Sequence, residues 1–235
     1  MATEPIRIYC GADRSQRLAF RVLEHSIRRH CARPLATQPT DNAYAPTAAD
    51  EFELLDLRRS DACLEAIRGA SRVFALAANM GVVPPVSDPR YAPYTQFSFA
   101  RFAIPALAGR HGKAVYMDSD MLVFRDIGEL WDAPFNGAKI LIEEGSRAQR
   151  DRGKHAAVML LDCAALPWDV GRIVADLGVR YDYNALMAID PLLATGEMAE
   201  RIPAGWNDLD HYDPARSRNL HFTEIRTQPW VCATH

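Results

Sequence analysis

The chain has 235 residues, 49% hydrophobic and 24% charged, which is the balance of a soluble globule with enough apolar residues for one sizeable α/β core. With 27 basic against 30 acidic residues the net charge is −3, so no global field recruits nucleic acid or an anionic membrane, and an anionic ligand must be held locally. Five scattered cysteines without CxxC spacing argue against zinc and against a disulfide framework, and no apolar stretch approaches a membrane span. A cytoplasmic protein with reduced thiols, no export leader and no membrane anchor is expected.

In chain order, residues 6–10 alternate apolar and polar and meet Gly11-Ala12-Asp13, a strand delivered into a turn. Residues 14–30 predict a helix: Phe20, Leu23 and Ile27 recur at helical spacing, Leu18, Ala19 and Val22 widen the stripe, and Arg28, Arg29 and His30 sit near the C-terminal dipole. Residues 33–50, rich in Pro, Ala, Thr and Asn, have no period and read as irregular. A strand over 52–57, a short helix over 61–68 and a strand over 72–78 follow. Pro84, Pro85, Pro89 and Pro93 make 82–94 a stiff loop, and 97–107 reads as a helix ending before Gly109. Strands are predicted at 113–118, 139–142 and 156–161, and a helix at 168–177; the rest is less periodic, with short elements around 181–189 and a polar loop at 206–210. This alternation predicts a single doubly wound, mostly parallel sheet flanked by helices, with an irregular C-terminal part. Ligands collect at the C-terminal ends of such strands.

The stretch Lys113-Ala-Val-Tyr-Met-Asp118-Ser119-Asp120-Met-Leu-Val-Phe124 is the most informative. Asp118 and Asp120 are one residue apart, so in extended geometry they face the same side, with the small Ser119 between them leaving room for a ligand. An isolated Asp-x-Asp is more often a surface turn whose aspartates are solvated or cap the next element. Here, however, the acids lie between two apolar runs, where desolvation requires a partner, and a hard divalent cation carrying a phosphate ester is the partner that fits.

Four separated signatures follow one another along the chain: Ile8-Tyr-Cys-Gly-Ala-Asp13; Phe97-Ser-Phe-Ala-Arg101-Phe; Ala114-Val-Tyr-Met-Asp118-Ser-Asp120-Met-Leu-Val followed by Asp126-Ile-Gly-Glu-Leu-Trp131; and His221-Phe-Thr-Glu-Ile-Arg-Thr-Gln228-Pro229-Trp230. Together they resemble the retaining GT-A glycosyltransferases of family 8, the group of glycogenin and the bacterial lipopolysaccharide galactosyltransferases. The resemblance implies a single GT-A domain over 1–235, with a nucleotide-binding half at about 1–125 and a donor-sugar and acceptor half at about 126–235. It implies Mn²⁺ (or Mg²⁺) held by Asp118, Asp120 and His221. The donor would be a UDP-sugar, transferred with retention to a soluble small-molecule, saccharide or natural-product acceptor.

By the same resemblance Asp13 holds the nucleoside, unless it caps the next helix, and Ser15 adds a polar contact. Arg101 reaches the donor phosphates, with Ser119 lying between the two acids. Departures are also visible. His155-Ala156-Ala157 stands where the family carries Asn-Ala-Gly toward the donor sugar, and Gln228 stands where a lysine usually precedes Pro-Trp, leaving phosphate charge to Arg226 or Arg101. Tyr181-Asp182-Tyr183-Asn184 lies where members place an amide or acid beneath the anomeric carbon; Asp182 is one candidate and Asn184 the other, with ordinary turn roles the alternative for both. The end of the chain soon after Trp230, without a basic amphipathic tail, fits a soluble acceptor. Rival functions are a non-catalytic nucleotide-sugar binding protein and a metal-dependent nucleotidyltransferase; the latter should carry a Gly-rich basic loop, for which Gly11-Ala12-Asp13-Arg14 is a poor substitute.

Overall fold

A computed structural model of the chain describes residues 6, 8–11, 17–31, 74–76, 89–91, 97–145, 156–224 and 228–229. The segments expected at 33–50, 52–57 and 61–68 lie outside them. So do Asp13, Ser15, His155, Arg226 and Trp230.

Six strands form the main sheet in the order β2-β1-β3-β6-β5-β7: β1 (Ile8–Gly11), β2 (Phe74–Leu76), β3 (Lys113–Asp118), β5 (Ile140–Glu143), β6 (Val158–Asp162) and β7 (Met198–Ile202). β1 pairs in parallel with β2 and β3, and β5 with β7, whereas β6 runs antiparallel to both β3 and β5. A second, three-stranded sheet has β9 (Asn219–His221) between β4 (Met121–Val123) and β8 (Asp208–Leu209). The α/β fold and the mostly parallel main sheet are thus as expected, with β6 the one reversed strand, and a second, three-stranded sheet is added to the single one expected. The reversal leaves no trace in residue pattern, because a strand buried on both faces is a continuous apolar run in either direction.

Alternation along the central strands sorts the core into two layers. Ala114 and Tyr116 of β3, Met159 and Leu161 of β6, and Ile140 and Ile142 of β5 face one layer, with Phe99, Phe102, Leu107 and Trp168. Val115 and Met117, Val158 and Leu160, and Leu141 face the other, with Leu23 and Ile27 of α1 (Arg17–His30) and with Trp131 and Trp206. Full burial of each Val, Leu, Ile, Phe or Met among them contributes about 1.5–3 kcal/mol.

The helix expected over 97–107 is present but broken: α2 (Phe97–Ala100) passes through a 3₁₀ turn at Arg101–Ala103 into α3 (Ile104–Leu107). Pro105, near the start of α3, has no N–H to give and its ring crowds the carbonyl four residues back, which breaks the α pattern there. The segment stops where Gly109 takes φ +69°. Further on lie α4 (Gly128–Trp131), α5 (Val170–Ala175) and α6 (Tyr183–Met187). Asp169 caps α5, its Oδ1 accepting from the Arg172 amide at 3.0 Å. Among the described residues no helix is long and apolar enough to cross a membrane.

Candidate active site

β3 ends at Asp118, which lies beside Gly11 of β1 and whose amide donates to the Ala157 carbonyl at 3.0 Å. The chain bends at Ser119 and Asp120 and leaves the main sheet to start β4. There Met121 pairs with His221 of β9, and the Phe222 amide donates to the Asp120 carbonyl at 2.9 Å. This pairing brings a residue from the far end of the chain to the acid pair. Asp118, Asp120 and His221 each offer a ligand atom, all within 4.8 Å of one another.

The His221 ring is fully buried. Its Nδ1 is 2.9 Å from Asn207 Oδ1, whereas Nε2 makes no hydrogen bond although it stands 3.3 Å from Asp120 Oδ1 and 3.9 Å from Asp118 Oδ2. A buried, unsatisfied ring nitrogen facing two carboxylates is costly on its own and is satisfied by a cation between them. Two carboxylates and an imidazole suit Mn²⁺ or Mg²⁺ better than a thiolate-seeking metal.

Asp118 is braced from behind. Its Oδ1 accepts from the Tyr116 hydroxyl at 2.5 Å and from Arg101 Nη2 at 3.3 Å, leaving Oδ2 on the His221 side. Arg101 is buried, donates from Nε to the Ser98 carbonyl at 3.0 Å and from Nη1 to the Ala156 carbonyl at 3.1 Å, and lies 4.5 Å over the Tyr116 ring. Burial pulls its pKa down, but the neighbouring Tyr116 and Asp118 outweigh this and hold it above the ordinary value. Sequence reasoning missed Tyr116, although its position two residues before Asp118 on one strand puts both on the same face.

The other expected site residues are more dispersed. Ser119 is buried in the bend between the acids. Gln228 donates to the Phe222 carbonyl at 3.2 Å, within its own segment. Asp182 and Asn184 are exposed at the start of α6, where Asp182 Oδ1 caps the helix by accepting from the Ala185 amide at 2.8 Å. No hydrogen bond or ion pair joins either side chain to the acid centre among the described residues. Tyr183 between them packs edge-on against Phe99 at 5.9 Å, so α6 rests on the helix that leads into Arg101.

Behind His221 the 204–208 segment is pinned from several sides. The Gly205 amide donates to buried Glu143 at the end of β5, its carbonyl accepts from the Arg218 and Asn219 amides at 2.8 and 2.9 Å, and Asn219 Nδ2 donates to the Trp206 carbonyl at 2.8 Å. On the other side of His221, the Asp210 carboxyl accepts from the Thr223 amide at 2.7 Å and from its hydroxyl. Burial raises the Asp210 pKa, but these bonds prevail and hold it below the usual carboxylate value.

Glu143 is the opposite case. Burial, helped by the nearby Asp208 and opposed by the amides of Gly205 and Asn207 and by Arg216, pushes it from 4.5 up to about 7. The folded protein therefore binds this proton more tightly than the unfolded chain does. The stabilisation is complete below about pH 4.5 and is lost as pH rises through 7. Between pH 4.5 and 8 the parent should lose up to about 3 kcal/mol of unfolding free energy relative to Glu143→Gln. Urea unfolding of both proteins across that range checks this, and parallel profiles would show that Glu143 titrates as it does in the unfolded chain.

Comparison with known proteins agrees with this layout. Residues 82–176 match the model for glycosyl transferase family 8. The solved structures it resembles include galactosyltransferase LgtC, determined with donor and acceptor sugar analogues (TM-score 0.59, 14% identity, 96% of this chain and 90% of that one). They also include the bifunctional glycosyltransferase WbbM (0.59, 12%, 94% and 46%) and GlyE of Streptococcus pneumoniae (0.59, 13%, 97% and 56%). The chain thus spans about half the length of the last two, and at these identities the likeness is one of fold. No curated protein matches the chain. The family match thus lies at the centre of the chain, and the fold around it is similar to that of solved GT-A glycosyltransferases.

Proposed function

We propose that the chain transfers a sugar, with retention of anomeric configuration, from a UDP-sugar to a soluble acceptor and depends on Mn²⁺ or Mg²⁺. The observation that carries the metal dependence is the convergence of Asp118, Asp120 and the unsatisfied Nε2 of His221 within 4.8 Å. Bound there, a divalent ion supplies positive charge against the diphosphate that departs as the sugar bond breaks.

The protein's own contribution in this reading is order. Tyr116 and Arg101 fix Asp118 by one oxygen, the β4–β9 pairing fixes His221, and the burial of Arg101 keeps a permanent cation beside the centre. Such a fixed charge needs little reorganisation as charge develops on the leaving group. Asp13, Ser15 and Arg101 would hold the nucleotide within 1–125, and His155, Asp182 or Asn184, and Gln228 would face the sugar and phosphates within 126–235. Retention and the choice of UDP rest on the family resemblance.

A panel of nucleotide sugars, scored by nucleoside diphosphate release with and without Mn²⁺, tests the reading. Release from a UDP-sugar that stops on chelation, with anomeric proton couplings unchanged from donor to product, is expected. An inverted product would require a placed general base and would overturn the retaining assignment. Mn²⁺-dependent UDP binding without release from any donor would identify a binding protein instead.

A further inference from the structure

We propose that Asn207 is a positioning residue that sets the tautomer of His221, so that Nε2 presents a lone pair to the acid pair. The proposal deepens the metal-dependent reading given above and rests on it. The imidazole is fully buried, so solvent does not select its proton position; the partner at Nδ1 does. That partner is the Asn207 amide oxygen at 2.9 Å, which only accepts, so the proton belongs on Nδ1 and Nε2 is bare. Had the amide nitrogen faced the ring, Nε2 would carry the proton and point it at Asp120, 3.3 Å away, closing the centre to a cation.

The amide is held in place by its backbone. Asn207 lies between Trp206, whose ring is fully buried and whose carbonyl accepts from Asn219 Nδ2, and Asp208, which opens β8. Glu143 accepts from the backbone amides on this segment, at Gly205 and at Asn207. Contacts from β5 and β9 thereby fix the backbone of this segment, and the Asn207 side chain meets the histidine at Nδ1, while Nε2 is the ring nitrogen near the acids. Nothing in the local sequence marks Asn207 as part of a site; it stands in a polar run, Trp206-Asn207-Asp208-Leu209-Asp210, far from Asp118 along the chain.

The test uses the full chain without metal and then with it. In the metal-free parent, ¹⁵N-edited NMR of the histidine rings should find His221 protonated at Nδ1. Asn207→Asp keeps an acceptor there and should keep the Nδ1 proton, with Mn²⁺ affinity by calorimetry no weaker than the parent's. Asn207→Leu, close in size and without an acceptor, should lose the single tautomer and bind Mn²⁺ about 10- to 100-fold more weakly. A parent with its proton on Nε2 would overturn the proposal, whatever the variants do. So would a folded Asn207→Leu with the parent's tautomer and affinity. Because the tautomer is read without metal, it decides the proposal even if Mn²⁺ fails to bind the parent, an outcome that would sink the metal-dependent reading alone.

Discussion

Asp120→Asn is expected to abolish Mn²⁺-dependent UDP binding while leaving the fold intact. The substitution keeps shape and leaves the Asp120 carbonyl free to accept from Phe222 as before, because that contact belongs to the backbone. What it removes is one negative charge 3.3 Å from a buried, unsatisfied nitrogen. Loss of a group that merely supports a ligand costs about 10- to 100-fold in metal affinity, so loss of a ligand itself should cost at least about 100-fold. The metal-free variant should melt at or above the parent, since repulsion between the two acids is relieved. Calorimetric titration with Mn²⁺, with and without UDP, reads the first effect and a thermal scan reads the second. Parent affinity in a folded Asp120→Asn protein would place the metal elsewhere. Asp118 is the poorer choice for this experiment: neutralising it leaves the buried Arg101 without its carboxylate, and the resulting instability would be confused with loss of metal.

The acid pair was legible because its signal is local. Asp118 and Asp120 stand one residue apart, and the apolar runs on both sides of them mark the two strands between which they lie. Arg101 was legible as a candidate and not as a contact: its expected partner was a diphosphate, and the structure gives it Asp118, Tyr116 and two carbonyls. The difference is one of range, since the packing of α2 and the 3₁₀ turn against β3 and Ala156 is not written in the spacing of the helix.

The second sheet was not legible at all. β4, β8 and β9 have three, two and three residues, too few for a period to show. Yet this small sheet delivers His221 to the acids, and with it Asn207 and the Glu143 anchor. The resemblance to a family supplied His221; residue patterns supplied neither of its supports. Asp182 shows the converse. The sequence offered it as a site candidate or as a turn residue, and the described structure gives it the cap of α6, a role that leaves one carboxylate oxygen uncommitted.

Gly205→Ala is expected to produce the largest loss of stability of any single methyl added to the described glycines, because two independent costs meet at that position. Gly205 has φ +93°, a conformation that side chains resist by about 1–2 kcal/mol, and a β-carbon there would stand 2.3 Å from the Arg216 carbonyl oxygen. That oxygen belongs to backbone that cannot turn aside as a flexible side chain would, so overpacking adds about 1–3 kcal/mol. The neighbouring bonds make yielding difficult: the Gly205 amide is tied to Glu143 and its carbonyl to Arg218 and to Asn219, the first residue of β9. A total near 3 kcal/mol should lower Tm by about 6–12 °C for a chain of this size. Gly196→Ala separates the two costs, since Gly196 has nearly the same φ, +87°, with nothing within 4 Å of its added carbon, and should lower Tm by only a few degrees. If the two variants melt together, the close approach of Arg216 to Gly205 is not a constraint on the folded protein. If Gly205→Ala melts well below Gly196→Ala and also binds Mn²⁺ more weakly at a temperature where it is folded, then the turn at Gly205 is part of what holds Asn207 and His221 in register with the acid pair.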